Sequence, residues 1–236
     1  MVKVMMLGAF CAVLLMLTPG ESTRFGHTVA AEVITDTLVY NENKGQGGVC
    51  GELRAGETVE ILEDRSEKWY RFEAGWVAAE ALAVPPDTTA NREELPAETL
   101  EAYVNGQGIA SKTNRLLFTD LDRQRTHVFT QEGGGWRLLQ SFACATGKNA
   151  SPTKRGLFTL EARGEWFYSE RLQSGARYWM RFDGPYLYHS LPMDANRVIT
   201  NYTIGERVSS GCVRLALEDA LWLYENIPDG SAVLVV

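Results

Sequence analysis

Histidine and cysteine are scarce in this sequence, and their scarcity limits the chemistry it can perform. The 236 residues include three histidines and four cysteines. They form no Cys-x-x-Cys pair, no His-Glu-x-x-His motif and no histidine cluster. Metal ligands normally occur at such spacings, so the sequence predicts no zinc site, structural or catalytic.

Basic residues are also in the minority. Lysine and arginine number 23 against 30 acidic residues, which gives a net charge of -7. Nucleic acids and anionic lipid surfaces recruit basic faces, so neither is an expected partner. A basic substrate would suit the acidity, but a solvated acidic surface explains it more simply. An apolar content of 45% supports one large domain or two modest ones.

The one long apolar run is too short to cross a bilayer comfortably. It covers residues 4–17, and a Thr-Pro-Gly break follows at 18–20. This pattern is typical of a signal peptide. We expect residues 1–31 to be removed on export, with small residues at 29–31 as a cleavage site and 19–21 as another break. The protein would then lie outside the cytoplasm; retention as an uncleaved membrane anchor is the alternative.

Export changes how the cysteines are interpreted. The mature chain would keep Cys50, Cys144 and Cys212. An odd number of cysteines in an exported protein leaves at least one free thiol or an intermolecular bridge. Cys50 and Cys144 could pair, but their spacing gives no reason to expect it, and a buried thiol is the commoner state.

Residues 32–84 read as short strands, rich in β-branched and aromatic residues. Closely spaced short strands predict a small barrel. A Gly-Glu-Thr-Val run at 56–59 precedes one strand, Trp-Tyr at 69–70 lies in the next, and Gly-Trp-Val at 75–77 closes the unit. With these features the segment resembles a bacterial SH3-like domain, and the resemblance implies binding of cell-wall peptide or glycan. Trp69, Tyr70 and Trp76 would be the contacts. The alternative is that these aromatics form the core, which a unit this small needs.

Proline and charged residues at 85–98 predict a linker, and residues 99–236 a second, mainly β domain. Two strands around a polar turn are expected near 116–130. The spacing of apolar residues predicts one helix over 217–226, ended by proline and glycine. A buried strand follows at 232–236.

A small-residue run ending in a cysteine is the sharpest local feature. Ser209, Ser210 and Gly211 precede Cys212, and Arg214 follows two residues later. Glycine lets the backbone turn tightly, and small neighbours leave the sulfur accessible. The backbone N–H groups of Gly211 and Cys212 could stabilise an oxyanion. The pattern predicts a nucleophilic cysteine with a cation beside it.

A cysteine with a pKa near ~8.5 needs a base or a cation to become reactive at neutral pH. His189 stands at a predicted strand end before a long loop, where catalytic groups are often placed. We predict that it is the base for Cys212, with its neighbour Tyr188 among the substrate contacts. His27 is expected to leave with the signal or lie in a disordered start, and His127 to be an ordinary mid-strand residue.

Two further stretches make the pattern specific. His189 is followed by Ser190, then a loop, then Ser-x-Gly-Cys-Val-Arg at 209–214; Thr-Gly-Lys and Ser-Pro-Thr-x-x-Gly-x-Phe-Thr lie within 145–159. This order resembles the catalytic domain of L,D-transpeptidases across residues 100–236. The resemblance implies a mainly β fold of the β-sandwich type with one short helix, preceded by the SH3-like barrel.

The resemblance also implies the roles and the reaction. Cys212 would be the nucleophile and His189 would exchange its proton, while Ser209, Gly211 and Arg214 match the motif. Ser210 departs from it, because many members have histidine there. The substrates would be peptidoglycan stem peptides: the thiolate attacks a diamino acid carbonyl of a tetrapeptide stem and D-alanine leaves. A neighbouring amine then resolves the thioester into a 3→3 cross-link, with no metal or cofactor.

Other functions stay open at this point. Attack by water would make the protein an L,D-carboxypeptidase. A catalytic domain with weak or no activity would make it a cell-wall-binding protein. A sortase-like enzyme also pairs cysteine, histidine and arginine, but its arginine usually lies on a separate strand, whereas Arg214 is two residues from Cys212. Papain-like peptidases place the cysteine before the histidine, the reverse of the order here. The sequence predicts no oligomeric state.

Overall fold

The structure, a computed structural model, describes residues 25–45 and 47–236 and consists mainly of β-strands. The predicted signal peptide lies mostly outside the described residues. No helix among the residues described is long and apolar enough to cross a membrane. The first 60 or so described residues form an N-terminal unit of eight strands: β1 (Val29–Val33), β2 (Thr37–Tyr40), β3 (Val49–Leu53), β4 (Thr58–Ile61), β5 (Glu63–Arg65), β6 (Trp69–Phe72), β7 (Gly75–Ala78) and β8 (Leu82–Ala83).

The N-terminal unit packs two small sheets around one core. A five-stranded sheet has the order β3-β2-β7-β6-β5, and a three-stranded sheet the order β4-β1-β8. Alternate residues such as Val33, Val39 and Val77 are buried between them. Tyr70 belongs to this core, as the simpler interpretation of the aromatics expected, and Trp69 is only partly buried. The SH3-like assignment stays a prediction.

The expected signal boundary conflicts with the fold. Val29 and Ala31 are buried in the core of the N-terminal unit, because β1 begins at Val29 and pairs with β4. His27, expected to be lost or disordered, lies 2.8 Å from the Asn149 side chain through its Nε2, and Phe25 stacks on another ring. Cleavage after residue 31 would therefore remove most of a paired strand, so residues 25–31 belong to the fold.

The expectation of a single helix is wrong. Helix α1 (Ala97–Gly106) begins directly after Pro96, where the predicted linker should still run. Proline is favoured at a helix start because its missing N–H would have no helical partner there. Leu100 and Val104 lie four residues apart and bury the same face. The predicted helix, α2 (Leu217–Asn226), is confirmed with the expected bounds.

The larger domain is built on one sheet of ten strands. Its main path is β12-β18-β9-β10-β11-β17-β15-β14-β13, and β16 pairs with β11. The strands are β9 (Arg115–Asp120), β10 (Arg125–Glu132), β11 (Gly135–Gly147), β12 (Gly156–Thr159), β13 (Ala162–Ser169), β14 (Ser174–Asp183), β15 (Tyr186–Ser190), β16 (Arg207–Ser209), β17 (Val213–Leu215) and β18 (Ala232–Val235). The predicted pairing near 116–130 is confirmed as β9 with β10.

The sheet curls instead of forming the expected sandwich of two sheets. Residues from both halves of the sheet, including Leu117, Val128 and Tyr188, share one core with Leu223 of α2. On the opposite face of β9 and β10, Phe118 and its neighbours form a second core against α1. Because side chains alternate along a strand, consecutive residues enter different cores. The fold is mainly β with two helices.

The N-terminal unit rests on the loop that joins β11 to β12. Tyr70 donates its hydroxyl proton to the Ala150 carbonyl at 2.9 Å. Ser151 Oγ donates to Asp64 Oδ2 at 2.8 Å, and Lys148 pairs with Glu67 at 2.7 Å. These contacts bring the β5–β6 turn beside the cysteine loop.

Candidate active site

The cysteine loop is held by one buried hydroxyl. Ser209 Oγ donates to the Cys212 carbonyl at 2.6 Å and accepts from the Gly211 N–H at 3.0 Å. Gly211 has a φ of 108°, and a Cβ on it would lie 2.7 Å from Cε1 of Tyr186. Only glycine fits this conformation without strain. The Gly211 N–H already has an acceptor, which corrects the expectation that it helps to stabilise an oxyanion.

The two motif stretches read from the sequence are neighbours in space. β16 runs parallel to the end of β11, and the Lys148 N–H donates to the Ser209 carbonyl at 3.0 Å. Gly147 has no room for a side chain, because a Cβ would lie 2.2 Å from the Ser151 carbonyl oxygen. Its N–H donates to Thr153 Oγ1 at 2.9 Å. The Thr-Gly-Lys stretch therefore holds the start of the cysteine loop through backbone pairing with β16.

The register of β15 and β17 places the cysteine and the histidine on one face of the sheet. The strands are parallel, with Tyr188 opposite Val213 and His189 opposite Arg214. Tyr188 and Val213 point into the core, so His189, Arg214 and Cys212 lie on the other face. Cys212 directly precedes β17. Continuing the register by one residue sets it diagonal to His189, and a strand spacing of about 4.8 Å with a rise of about 3.3 Å per residue gives a Cα separation of about 8 Å.

The Cys212 thiol is partly exposed and protonated in this arrangement. Its Sγ donates to the Pro185 carbonyl at 3.6 Å. Burial raises the pKa of the Cys212 thiol, while the Leu187 backbone N–H and the Arg214 charge act in the opposite direction. A neutral thiol is therefore the resting form, and a base is needed to activate it.

His189 is oriented by its own backbone. Its Nδ1 lies 2.6 Å from the Ser190 carbonyl oxygen. A carbonyl can only accept, so Nδ1 carries the proton and Nε2 is left with a lone pair. The Phe167 ring packs edge-on at 5.7 Å. Burial lowers the pKa of His189 to about 4, so the imidazole is neutral at pH 7 and can accept a proton.

The two groups share a face but do not touch. No hydrogen bond joins Cys212 to His189 in the part of the chain that the structure describes, because the thiol is turned toward Pro185. Catalytic hydrogen bonds are often long or misaligned in the free enzyme. A rotation of the Cys212 side chain away from Pro185 is what a proton transfer to Nε2 requires.

Arg214 supplies an uncompensated positive charge near the thiol. Burial lowers the pKa of its guanidinium, and the Cys212 sulfur opposes that shift. Arg214 makes no ion pair with any residue that the structure describes, and its Nε has no hydrogen-bond partner there. Such a group favours a thiolate or a substrate carboxylate close by.

The structure corrects the role expected for Tyr188. Its side chain is fully buried in the core, and its hydroxyl lies 2.7 Å from Thr119 Oγ1. It points away from the face that carries His189, so it cannot contact substrate. Ser210 is exposed beside the thiol, as a substrate-facing residue should be. His127 is buried in β10 with Nδ1 2.8 Å from Ser141 Oγ, far in the fold from the cysteine loop.

A polar cavity of about 460 Å³ opens beside the cysteine loop. Its walls include Ser210, Pro185, the tip of the β13–β14 hairpin with Arg171 and Leu172, and the β5–β6 turn of the N-terminal unit. Neither this hairpin nor this turn is predicted by the sequence motifs of the site. The aromatic run 166–168 was the only local signal of the hairpin, and none marked the turn. No group of three or more His, Cys, Asp or Glu side chains among the described residues could hold a metal ion.

The family model of the YkuD L,D-transpeptidase catalytic domain matches residues 114–235. A curated protein of Bacillus subtilis (strain 168), named "Putative L,D-transpeptidase YciB", is 34% identical over 128 residues, which cover 50% of this chain and 65% of that protein.

Solved structures also match part of the chain. A fused Zn-dependent amidase/peptidase/peptidoglycan-binding domain-containing protein from Clostridium acetobutylicum ATCC 824 is 27% identical, with a TM-score of 0.47 and coverage of 62% of this chain and 66% of that one. An L,D-transpeptidase from Mycobacterium smegmatis is 23% identical, with a TM-score of 0.44 and coverage of 52% and 58%. The chain spans less than two thirds of the length of each of these relatives.

Proposed function

The chain belongs to the YkuD family of L,D-transpeptidase catalytic domains, an acyltransferase family, and we propose that it forms 3→3 peptidoglycan cross-links outside the cytoplasm with Cys212 as nucleophile. His189 is the proposed base. The donor is a tetrapeptide stem, and the acceptor is the side-chain amine of a neighbouring stem.

One observation carries this proposal: β15 and β17 are parallel neighbours with His189 opposite Arg214, and alternation along β17 puts Cys212, the residue before that strand, on the same side of the sheet as His189. His189 has its Nδ1 proton committed to the Ser190 carbonyl, which leaves Nε2 as an acceptor. A thiol and a neutral imidazole within side-chain reach are the minimum for cysteine acyl transfer.

The first half-reaction moves the acyl group to the enzyme. Nε2 of His189 takes the Cys212 proton, and the thiolate attacks the carbonyl of the diamino acid that precedes D-alanine. The tetrahedral intermediate collapses as the carbon–nitrogen bond breaks, and the imidazolium returns its proton to the leaving amine. D-Alanine departs and a thioester remains on Cys212. Because the Gly211 N–H is taken by Ser209, the Cys212 N–H is the proposed oxyanion donor.

The second half-reaction resolves the thioester. His189 removes a proton from the acceptor amine, the nitrogen attacks the thioester carbonyl, and the thiolate leaves with the proton restored. An amide cross-link forms. If water takes the place of the amine, the products are a free tripeptide stem and the regenerated thiol, which is L,D-carboxypeptidase activity.

Export and wall binding are further parts of the proposal. The apolar run at 4–17 supports export, and the two small sheets of the N-terminal unit are compatible with a wall-binding barrel. Trp69 and Trp76 are partly exposed and are the proposed contacts with the cell wall, whereas Tyr70 is buried in the core of the N-terminal unit.

Mass spectrometry of the protein with a tetrapeptide muropeptide tests the reaction. We expect an acyl adduct on Cys212, release of D-alanine and a dimeric product. Cys212→Ala should abolish all three, and His189→Ala should slow adduct formation at least about 100-fold, as loss of a general base does. Cys50→Ala is the matched control, because Cys50 is a free cysteine of the N-terminal unit.

Each outcome separates the candidate functions. A tripeptide without dimer identifies a carboxypeptidase. An unmodified wild-type protein that still binds muropeptide identifies a binding protein. Product from Cys212→Ala would refute the assignment of the nucleophile.

A further inference from the structure

The cavity beside the cysteine loop has walls from both structural units. Arg65 and Ser66 on the β5–β6 turn line it from the N-terminal unit, and Arg171 lines it from the β13–β14 hairpin. Ser210, two residues before the nucleophile, lies in the same wall as Pro185, whose carbonyl accepts the Cys212 thiol proton. The cavity therefore adjoins the cysteine loop through Ser210 and Pro185.

The carboxylates of the cavity already have partners. Asp64 Oδ2 accepts from Ser151 Oγ at 2.8 Å, and its Oδ1 accepts from the Glu67 N–H at 2.7 Å. Glu67 itself pairs with Lys148 at 2.7 Å. These acidic groups hold the turn against the larger domain and are poorly placed to take up a ligand cation.

The two arginines of the cavity equal its two carboxylates in number, but they are less fully engaged by partners. Arg171 is exposed and makes no ion pair within the described residues. Arg65 pairs with the buried Glu63, but Arg71 and Lys154 approach the same carboxylate at 3.8 and 3.9 Å. The Glu63 carboxylate is therefore shared among three basic side chains. Lys154 has a second partner, an aspartate at 2.7 Å. The cavity can accept a negatively charged group.

We propose that Arg65 and Arg171 bind the free α-carboxylate of the terminal D-alanine of the acyl donor, so that the N-terminal unit completes the substrate site of the larger domain. This inference rests on the proposed function. The terminal carboxylate lies one residue beyond the carbonyl that Cys212 attacks, and the cavity adjoins the cysteine loop through Ser210 and Pro185. Guanidinium groups recognise carboxylates through paired, charge-assisted hydrogen bonds.

The β5–β6 turn is ordered before any ligand arrives. Ser66 and Glu67 both have positive φ angles of 59° and 56°. Asp64 fixes them by accepting the Glu67 N–H and by bonding to Ser151 across the interface. A preformed turn spares a ligand the entropic cost of ordering it. In this proposal the N-terminal unit occupies a fixed position on the larger domain, and its turn determines the preference for a donor with a free terminal carboxylate.

A charge placed at the tip of the turn tests the proposal. Ser66 is exposed at the tip of this turn. Ser66→Asp adds a negative charge there, and Ser66→Asn is its neutral match; both residues tolerate a positive φ. We expect Ser66→Asp to raise the KM for a tetrapeptide stem with a free terminal carboxylate about three- to tenfold relative to Ser66→Asn. A stem with a terminal carboxamide should not distinguish the two variants.

Removal of the exposed cation gives a second measure. Arg171→Ala should weaken binding of the free-carboxylate stem about fivefold or more and leave the carboxamide stem unaffected. Arg137→Ala, which removes an exposed arginine from β11, is the control. Equal effects on the two stems, or no effect of either Ser66→Asp or Arg171→Ala, would overturn the proposal.

Binding measurements separate this inference from the proposed function. In a Cys212→Ala background, calorimetry reports the Kd of each stem without turnover. If the wild-type protein never forms an acyl adduct but the carboxylate preference persists, the catalytic proposal fails and the carboxylate site stands. If acylation proceeds and the preference is absent, the carboxylate site fails alone.

Discussion

Substituting alanine for Gly211 should damage the cysteine loop by two separate physical effects. The φ of 108° is strained for any residue with a Cβ, at a cost of about 1–3 kcal/mol. The new methyl group would also lie 2.7 Å from Cε1 of the buried Tyr186 ring, and overpacking of this kind costs about 1–3 kcal/mol. Together the free energy of unfolding should fall by about 2–6 kcal/mol.

A matched glycine separates the two effects. Gly205 has a φ of 83°, and a Cβ there would meet no heavy atom within 4 Å. Gly205→Ala therefore retains only the backbone cost. We expect Gly211→Ala to be less stable than Gly205→Ala by the overpacking cost, about 1–3 kcal/mol.

Urea unfolding followed by tryptophan fluorescence measures both variants, and iodoacetamide alkylation of Cys212 reports on the loop. Gly211→Ala should also slow acyl-adduct formation at least about tenfold, because its displaced loop carries the nucleophile. Tyr186→Leu should recover part of the stability lost in Gly211→Ala, as a coupling energy in a double-mutant cycle. Equal stability losses for the two glycine variants, with no coupling to Tyr186, would refute the reasoning.

Three further predictions follow from the described contacts. Because the pKa of His189 is lowered from 6.5 to about 4, its contribution to stability, about 3 kcal/mol, is present above pH 6.5 and lost as the pH falls toward 4. Urea midpoints between pH 4 and 7 should fall less steeply for His189→Gln, and identical slopes would contradict the assignment. Cys144 is fully buried with its pKa raised to about 12, so iodoacetamide should label Cys212 in the native protein and Cys144 only after unfolding; native labelling of both argues against the fold. Tyr70→Phe removes the hydrogen bond to the Ala150 carbonyl and should cost about 1 kcal/mol, whereas an unchanged urea midpoint would show that this contact is not formed in solution.

Local patterns predicted some elements well because those elements satisfy local rules. Helix α2 has apolar residues on one face and a proline after its end, and its bounds agree with the prediction. Helix α1 has only two fully buried positions, Leu100 and Val104, and follows a proline-rich stretch, so its short pattern was hidden. The curled single sheet depends on which strands pair across long distances, and no local pattern specifies that.

The part of the site that lies in one continuous stretch of sequence could be predicted, because its local pattern is complete. Cys212 and its glycine form a contiguous motif, and the two motif stretches now lie side by side. The prediction that Tyr188 contacts substrate was wrong, and strand geometry could have excluded it. Neighbouring residues of a strand point to opposite faces, so if His189 faces the site, Tyr188 must face the core. The β5–β6 turn lies some 145 residues before the cysteine, and only the packing of the two units brings it there.

Strand β18 has a consequence for how the protein is made. It lies between β9 and β12 and runs parallel to β9, so Leu116 finds its neighbour Ala232 only when almost the whole domain has been synthesised. A growing chain therefore keeps the β9 edge of the sheet unpaired until its last strand has been made. Long-range parallel pairing is slow to form, so the interval before closure is the time when this chain is most exposed to aggregation.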